Sequence, residues 1–411
     1  MKTLLFVGGG IETVPGVQKA KAMGYRVWVS DRNPEAPCFA HADEALIADT
    51  YNGAQTLAAV RTLLAQGKGL DGAMCLGSDV PATVATVTEA LGLPGISLAT
   101  ARAAMDKLAM KDQLARGGVA LPWYHAVSDA AHLKALSEAH PEPLILKPVD
   151  SRGARGVLQL GDAANRIDLD WAFSYAQPFS PTGRVMVEAF LPGPQISTES
   201  LVLNGAVHTP GFSDRNYELM AALAPHVVED GGNLPSFLAE PEQALIREEV
   251  ARAALAMGVQ NGVVKGDMVL SGGRAYVIEI ATRLSGGYFC THSIPLNTGV
   301  DFVGCAIRQA LGEAVTAQAL TPQYQRHVCQ RYFFPEPGRV VSVSGAEAVA
   351  AREEIPFCEV RVQAGDEIGS IENHPGRPGL VIAIGSTRAE AQAAAERAVA
   401  DIVIETERSN R

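Results

Sequence analysis

The sequence predicts an α/β N-terminal domain followed by α+β architecture, and three observations carry that expectation. From Lys2 to about Leu98 the chain alternates strand, glycine turn, helix and strand, the signature of a doubly wound parallel sheet. Beyond it, apolar runs holding isolated lysines and carboxylates alternate with glycine-rich loops. The last segment mixes short strands with one alanine-rich helix. At 411 residues the chain is too long for one ordinary core, so two or three domains are expected, each burying its own apolar set.

Composition narrows the function. The chain is 47% hydrophobic, and 34 Lys and Arg against 45 Asp and Glu give a net charge of −11. Such a balance argues against nucleic acid or an anionic membrane surface as partner, so any phosphate site must be built locally. No apolar run approaches a membrane span, and the start, MKTLLFVGGG, breaks off too early for a signal peptide. The six cysteines form no CxxC pair and no Cys/His ligand spacing, which suits reduced thiols in the cytoplasm.

The N-terminal elements follow in order. TLLFV and YRVWVSD read as strands flanking the helix VQKAKAMG, and GAMCLG as a further strand before the helical VPATVATVTEALG. Gly8-Gly9-Gly10 is read as a strand-to-helix turn, because the spacing is not GxGxxG and Pro15 interrupts the expected helix. TARAAMDKLAMKDQLARGG reads as one helix; Lys107 and Lys111 share a face, and Lys111 is expected to be solvated. HTPGFSDRNYELMAALAPHVVEDGGNLPSF reads as a long irregular excursion, and PEQALIREEVARAALAMG as a helix. Near the end come the strands RVVSVSG and GLVIAIGS and a helix that Thr387 and Glu390 would cap.

Chemistry gathers in the strands GVVKGDMVL and AYVIEIATR. Alternation puts Lys265 and Asp267 on one face of the first, and Glu279, Ala281 and Arg283 on one face of the second. A three-residue turn Gly272-Gly273-Arg274 would set Asp267 opposite Glu279 and Lys265 opposite Ala281, with Val264, Met268, Ile278 and Ile280 on the other face. Two neighbouring carboxylates repel unless a cation lies between them, and a hard divalent ion on phosphate oxygens fits that need. Lys147, in the apolar run LILKPV, is costly to bury unless it meets an anion. The loop DSRGARG after it, with Ser151, Arg152, Gly153, Arg155 and Gly156, either cradles phosphate or forms a surface turn. Ser285, Gly286 and Gly287 would present backbone N–H groups to a carboxylate or form a plain turn. Arg215 in SDRNYEL is a carboxylate clamp or a surface arginine, and His292 reads as a core or turn histidine.

As a set, MDKLAMK, LILKPVDSRGARGV, VMVEAFLPGPQIS, VVKGDMVL and VIEIATRLSGG resemble the ATP-grasp superfamily of carboxylate-amine ligases, most nearly the L-amino-acid (dipeptide) ligases. The resemblance implies an N-terminal α/β domain over 1–100, an ATP-grasp body over 101–327 with a small lid at about 115–190, and a C-terminal α+β cap over 328–411. It implies ATP with Mg²⁺, or Mn²⁺ in its place. Lys107, Lys147 and the loop from Ser151 to Gly156 would meet the phosphates, while Glu188 and the backbone of Phe190 would hold the adenine edge. Gln195 stands where the family usually places a ribose-binding Glu. Asp267 and Glu279 would bind metal, and Arg283 would stabilise the transferred phosphoryl group and the tetrahedral adduct. Ala281 departs from the family's Glu-x-Asn-x-Arg pattern, so a second metal position is weakened, filled by water or served by other groups, or else Lys265 supplies charge there instead. The reaction implied joins a small acid, an amino acid or a relative, to an amine through an acyl phosphate, with a homodimer left open. A purine-type formate or bicarbonate ligase and a non-catalytic nucleotide-binding regulator are the rivals.

Overall fold

The computed structural model describes residues 1–162 and 165–407. The expected lid and cap ranges also include 163–164 and 408–411, which lie outside the described residues. The N-terminal sheet is parallel, with β1 (Thr3–Val7), β2 (Arg26–Asp31), β3 (Glu44–Ile47) and β4 (Gly72–Met74) in the order β3-β2-β1-β4. Every residue of β1 is buried, as a central parallel strand covered on both faces must be. Pro15 does not interrupt the first helix. It sits in the first turn of Val14–Ala22, where a missing N–H costs nothing.

A small antiparallel sheet follows, built from β5 (Tyr124–Val127), β6 (Leu144–Pro148), β7 (Leu158–Gln159) and β8 (Val185–Ala189) in the order β5-β8-β6-β7. It encloses its own core of Leu133, Leu144, Leu146, Val185 and Val187.

The body contributes β9 (Gln195–Leu203), β10 (Ala206–Asn216), β11 (Gly231–Leu234), β12 (Gly262–Ser271) and β13 (Arg274–Ala281). The C-terminal segment adds β14 (His327–Tyr332), β15 (Gly338–Ser344), β16 (Phe357–Val360), β17 (Glu367–Ile368), β18 (Gly379–Gly385) and β19 (Val403–Glu407). Eight of these form one sheet, β13-β12-β9-β10-β11-β14-β18-β16, while β17-β15-β19 stand apart. The expected boundary at 327/328 therefore falls inside β14, which pairs with β11 on one side and β18 on the other. The region expected to be an irregular excursion is largely regular, since β10 and β11 pair within it and Met220–Leu223 forms a helical turn. Its glycines and prolines punctuate strands rather than replace them.

The helix Glu240–Ala256 packs Ile246, Val250 and Ala253 on Val264, Met268, Val277 and Ile280 of β12 and β13. On the cap, the helix Arg388–Asp401 lays Ala391, Ala394, Ala395 and Ala398 on Val381 and Ala383, small side chains that let helix and strand approach closely. All six cysteines are free thiols. No helix among the described residues is long and apolar enough to cross a membrane.

Candidate active site

The segment expected to be one helix is two, Leu98–Ala104 and Lys107–Arg116. They break at Asp106, whose carboxylate caps the second helix by accepting from the N–H groups of Leu108 (3.1 Å) and Ala109 (2.9 Å). Re-aimed by this break, the second helix turns Lys107 and Lys111 inward. Lys111 is 1% exposed rather than solvated. Its Nζ lies 2.9 Å from Glu188 Oε2 and donates to the Ile278 carbonyl at 3.1 Å.

Glu188 on β8 lies beside Ile145 of β6, and Lys147, two residues along β6, closes on its other carboxylate oxygen. A buried carboxylate thus sits between two lysines. Burial opposes ionisation of Glu188, but Lys111 and Lys147 overcome it and hold its carboxyl below the usual range. Burial also pushes the Lys111 ammonium down, with Glu188 acting against it. The cluster carries one positive charge more than it neutralises, and Lys147 reaches the cleft with it.

Beyond β6, the loop 151–156 turns through positive φ at Gly153 (64°) and Gly156 (71°). A Cβ on Gly156 would lie 2.8 Å from both Phe179 and Pro148, so only glycine fits there. Lys107 Nζ donates to the Ser151 carbonyl at 2.8 Å, and Gly153 O accepts from the His374 N–H at 3.0 Å. The glycine loop is therefore docked on the C-terminal segment.

In β12 and β13, Lys265 pairs with Ala281 and Asp267 with Glu279, as expected, but the turn is the two-residue Gly272-Gly273 with Ser271 opposite Arg274. A bulge at Ile278 makes up the residue. It also turns Ile278 into the cleft, not onto the core face, and leaves Val277 fully buried in its place. Asp267 is flanked by Lys265 and by Arg215 Nη1 at 2.9 Å, and Glu279 lies 3.3 Å from Lys107. Burial opposes the charge on Asp267, but Arg215 and Lys265 hold its carboxyl well below the usual range. Arg215, one candidate carboxylate clamp, thus spends itself on Asp267 and on Glu229 (2.9 Å).

Arg283 Nε is 3.3 Å from Asp79, which arrives from the loop after β4. That loop is stitched to the end of the β13 segment, because Gly77 N–H donates to the Leu284 carbonyl at 3.1 Å. The turn after Arg283 does not offer its N–H groups freely. Ser285 gives its N–H (2.8 Å) and its hydroxyl to the buried Glu199, and Gly287 gives its N–H to Glu12 (2.8 Å). Phe190 likewise gives its N–H to the Pro143 carbonyl (2.9 Å). His292 packs between Tyr288 and Phe357, away from the cleft.

These groups line one cleft of about 600 Å³. Lys107, Lys147, Ser151, Arg152, Gly153, Glu188, Phe190, Gln195, Arg215, Lys265, Asp267, Glu279, Arg283, Ser285, Gly286 and Gly287 all border it, and Gly156 shapes the loop from behind. Its walls carry nine Lys and Arg against six Asp and Glu, an excess of three positive charges in a chain of net charge −11. A cleft so charged suits a polyanion. The sequence did not single out Glu12, Asp79, Glu199, Glu229, Arg361, His374 or Arg377. Glu12 and Asp79 follow the carboxyl ends of β1 and β4, where open α/β sheets place their ligand crevice, so that rule could have found them.

The description "ATP-grasp domain" fits residues 104–287, and "L-amino acid ligase C-terminal domain 2" fits residues 331–407. Residues 104–287 form an ATP-grasp domain. The chain is 25% identical over 340 residues to an uncharacterized protein of Sinorhizobium fredii, covering 82% of this chain and 69% of that one. It is 27% identical over 219 residues to the D-alanine–D-alanine ligase of Desulforudis audaxviator, covering 50% and 67%. Its fold matches the crystal structure of an L-amino acid ligase from Bacillus licheniformis with a TM-score of 0.82 at 22% identity, over 99% of each chain.

Proposed function

We propose that this ATP-grasp ligase activates the carboxylate of an amino acid, or a close relative, as an acyl phosphate and joins it to an amine, releasing ADP and phosphate. One observation carries the proposal. Arg283, the Asp267–Glu279 pair and the glycine loop 151–156 face the same cleft, and a cap of the L-amino acid ligase type closes that cleft.

The apolar slot between Ile145, Ile278 and Val269 accepts the adenine ring, with Glu188 and the Phe190 carbonyl at its edge and Gln195 toward the ribose. Lys107, Lys147, Arg152 and the loop N–H groups take the phosphates. Asp267 and Glu279, adjacent across two strands and both open to the cleft, fit Mg²⁺, or Mn²⁺ in its place, with phosphate oxygens and water filling the other positions. A metal bound there screens phosphate charge and aligns the transferred group. Lys265, opposite Ala281, keeps positive charge where Ala281 offers no oxygen.

Arg283, oriented by Asp79, neutralises the charge that develops as the substrate carboxylate attacks the γ-phosphate and as the amine adds to the acyl phosphate. The glycine loop docked on His374 keeps water from the acyl phosphate. The test is phosphate release from ATP across a panel of amino-acid pairs. Release that depends on both members of a pair supports the proposal. Dependence on formate or bicarbonate points to the purine-type ligase, and absence of turnover with retained ATP binding points to a regulator.

A further inference from the structure

An amine enters a cleft at neutral pH mostly as its ammonium form, and only the uncharged nitrogen attacks an acyl group, so amide formation needs a base. The carboxylates that border the cleft are poorly suited to that task. Glu12, Asp79, Glu188, Glu229, Asp267 and Glu279 each lie within 3.3 Å of a lysine or arginine. A cation so close favours the ionised carboxylate and makes it a weak proton acceptor. His374, the one histidine bordering the cleft among the described residues, already accepts from the Glu229 N–H at Nε2 (3.4 Å). Burial, with Arg377 and Arg215 beside it, pushes its ring well below the ordinary value.

Glu199 differs from all of these and lies one residue behind the cleft. Gln195, Ser197 and Glu199 alternate onto the same face of β9; the first two border the cleft, and Ser285 covers the third. Glu199 is 0% exposed and has no ion-pair partner among the described residues. Both of its oxygens are turned on Ser285, one accepting the N–H at 2.8 Å and the other the hydroxyl. Ser285 itself borders the cleft, so a single hydroxyl stands between the cleft and a buried carboxyl. Lys265 faces Glu199 from β12, Arg283 from the end of the β13 segment, and the Cys290 thiol from beyond the turn, where it donates to the Ser285 carbonyl at 3.2 Å. β10 meets Glu199 with Gly211, which carries no charge. Burial outweighs the pull of Ser285, Arg283 and Lys265 and brings the carboxyl up to about 7, where a base works best at neutral pH.

We propose that Glu199, acting through the Ser285 hydroxyl, takes the proton from the ammonium group of the acceptor. This rests on the ligase function proposed above. One N–H proton passes to Ser285 Oγ as the Ser285 hydroxyl proton passes to Glu199 Oε2. The freed electron pair forms the N–C bond, and the bond from the acyl carbon to the phosphate oxygen breaks. Phosphate leaves with that electron pair and a second N–H proton, as hydrogen phosphate. Glu199 returns its proton to water through Ser285 once the product has gone.

The full-length enzyme is assayed with two kinds of amine. Hydroxylamine is uncharged at neutral pH, so hydroxamate reports acyl phosphate formation without needing a base. Amino-acid acceptors of differing amine basicity then report the proton transfer. In the wild-type enzyme kcat/KM for every such acceptor is expected to rise with pH and level off at about 7. A midpoint that instead follows each acceptor's own amine overturns the assignment, whether or not a variant folds. Glu199→Gln is expected to lower kcat/KM for amino-acid acceptors about a hundredfold at pH 7, to move the rise to the amine's own ionisation, and to keep hydroxamate formation within about threefold. Equal loss of hydroxamate and amide formation in a folded variant shows that Glu199 only supports the turn, and overturns the assignment. Failure of the wild-type enzyme to form hydroxamate with any acid overturns the ligase function, and the assignment falls with it.

Discussion

Removing one charge from Glu279 separates a metal-binding carboxylate from a structural one. Glu279→Gln keeps the shape and the contact with Lys107 but weakens the hold on a divalent ion. ATP turnover is expected to fall at least about a hundredfold while the thermal midpoint stays nearly unchanged, as phosphate release and differential scanning fluorimetry would show. Glu188 is the opposite case. Its neutral variant, Glu188→Gln, leaves two buried lysines without their anion and should cost about 3 kcal/mol or more in urea unfolding. Adding Lys111→Met should recover part of that loss; a double variant no more stable than the single would argue that the cluster is not electrostatically coupled.

Glu199 carries a signature in pH. Burial pushes its carboxyl up to about 7 from 4.5, with the Ser285 hydroxyl and N–H pulling the other way. The folded chain therefore keeps this proton when the unfolded chain has lost it. The group contributes nothing below about pH 4.5; stability then declines as pH rises toward about 7, by on the order of 3 kcal/mol. Glu199→Gln should flatten that part of the stability profile, and an unchanged slope between pH 5 and 7 would show that another group sets it.

Elements decide where these side chains point. The helix Lys107–Arg116 delivers Lys107 and Lys111 inward because Asp106 starts it afresh, so Asp106→Ala should cost about 1 kcal/mol and weaken nucleotide binding together, measurable by calorimetric titration of ADP. An intact ADP affinity in that variant would separate the cap from the site. Lys147 and the carboxylates of β12 and β13 were legible in the sequence because strand alternation is local and a lysine in an apolar run is conspicuous. The bulge at Ile278 was not, because a two-residue turn plus a bulge gives the same pairing of Asp267 with Glu279 as a three-residue turn without one. The burial of Lys111 was hidden because its partner Glu188 lies 77 positions further along the chain. Glu12 and Arg361, which meet across 349 positions, are ordinary charged residues until the fold joins them.

At the scale of the molecule, three segments of sequence close one cleft. Asp79 and Glu12 come from the segments that follow strands of the parallel sheet, the lysines and the Asp267–Glu279 pair from the body and its small sheet, and Arg361, His374 and Arg377 from the C-terminal segment. A chain ending at Arg326 would lose β14 and leave β11 as an unprotected edge, so it should be insoluble rather than a slow enzyme; a soluble, cooperatively unfolding fragment would count against a shared sheet.

That shared sheet also shapes how such a protein can change over generations. A cap that begins in the middle of its neighbour's hydrogen-bond ladder cannot be exchanged as a unit, since a foreign one would have to reproduce the pairing of Val328 through Arg331 with β11. The segment His374–Arg377, by contrast, lies between β17 and β18 and outside every sheet. Point substitutions there change the lining of the cleft one side chain at a time, while the framework is inherited whole.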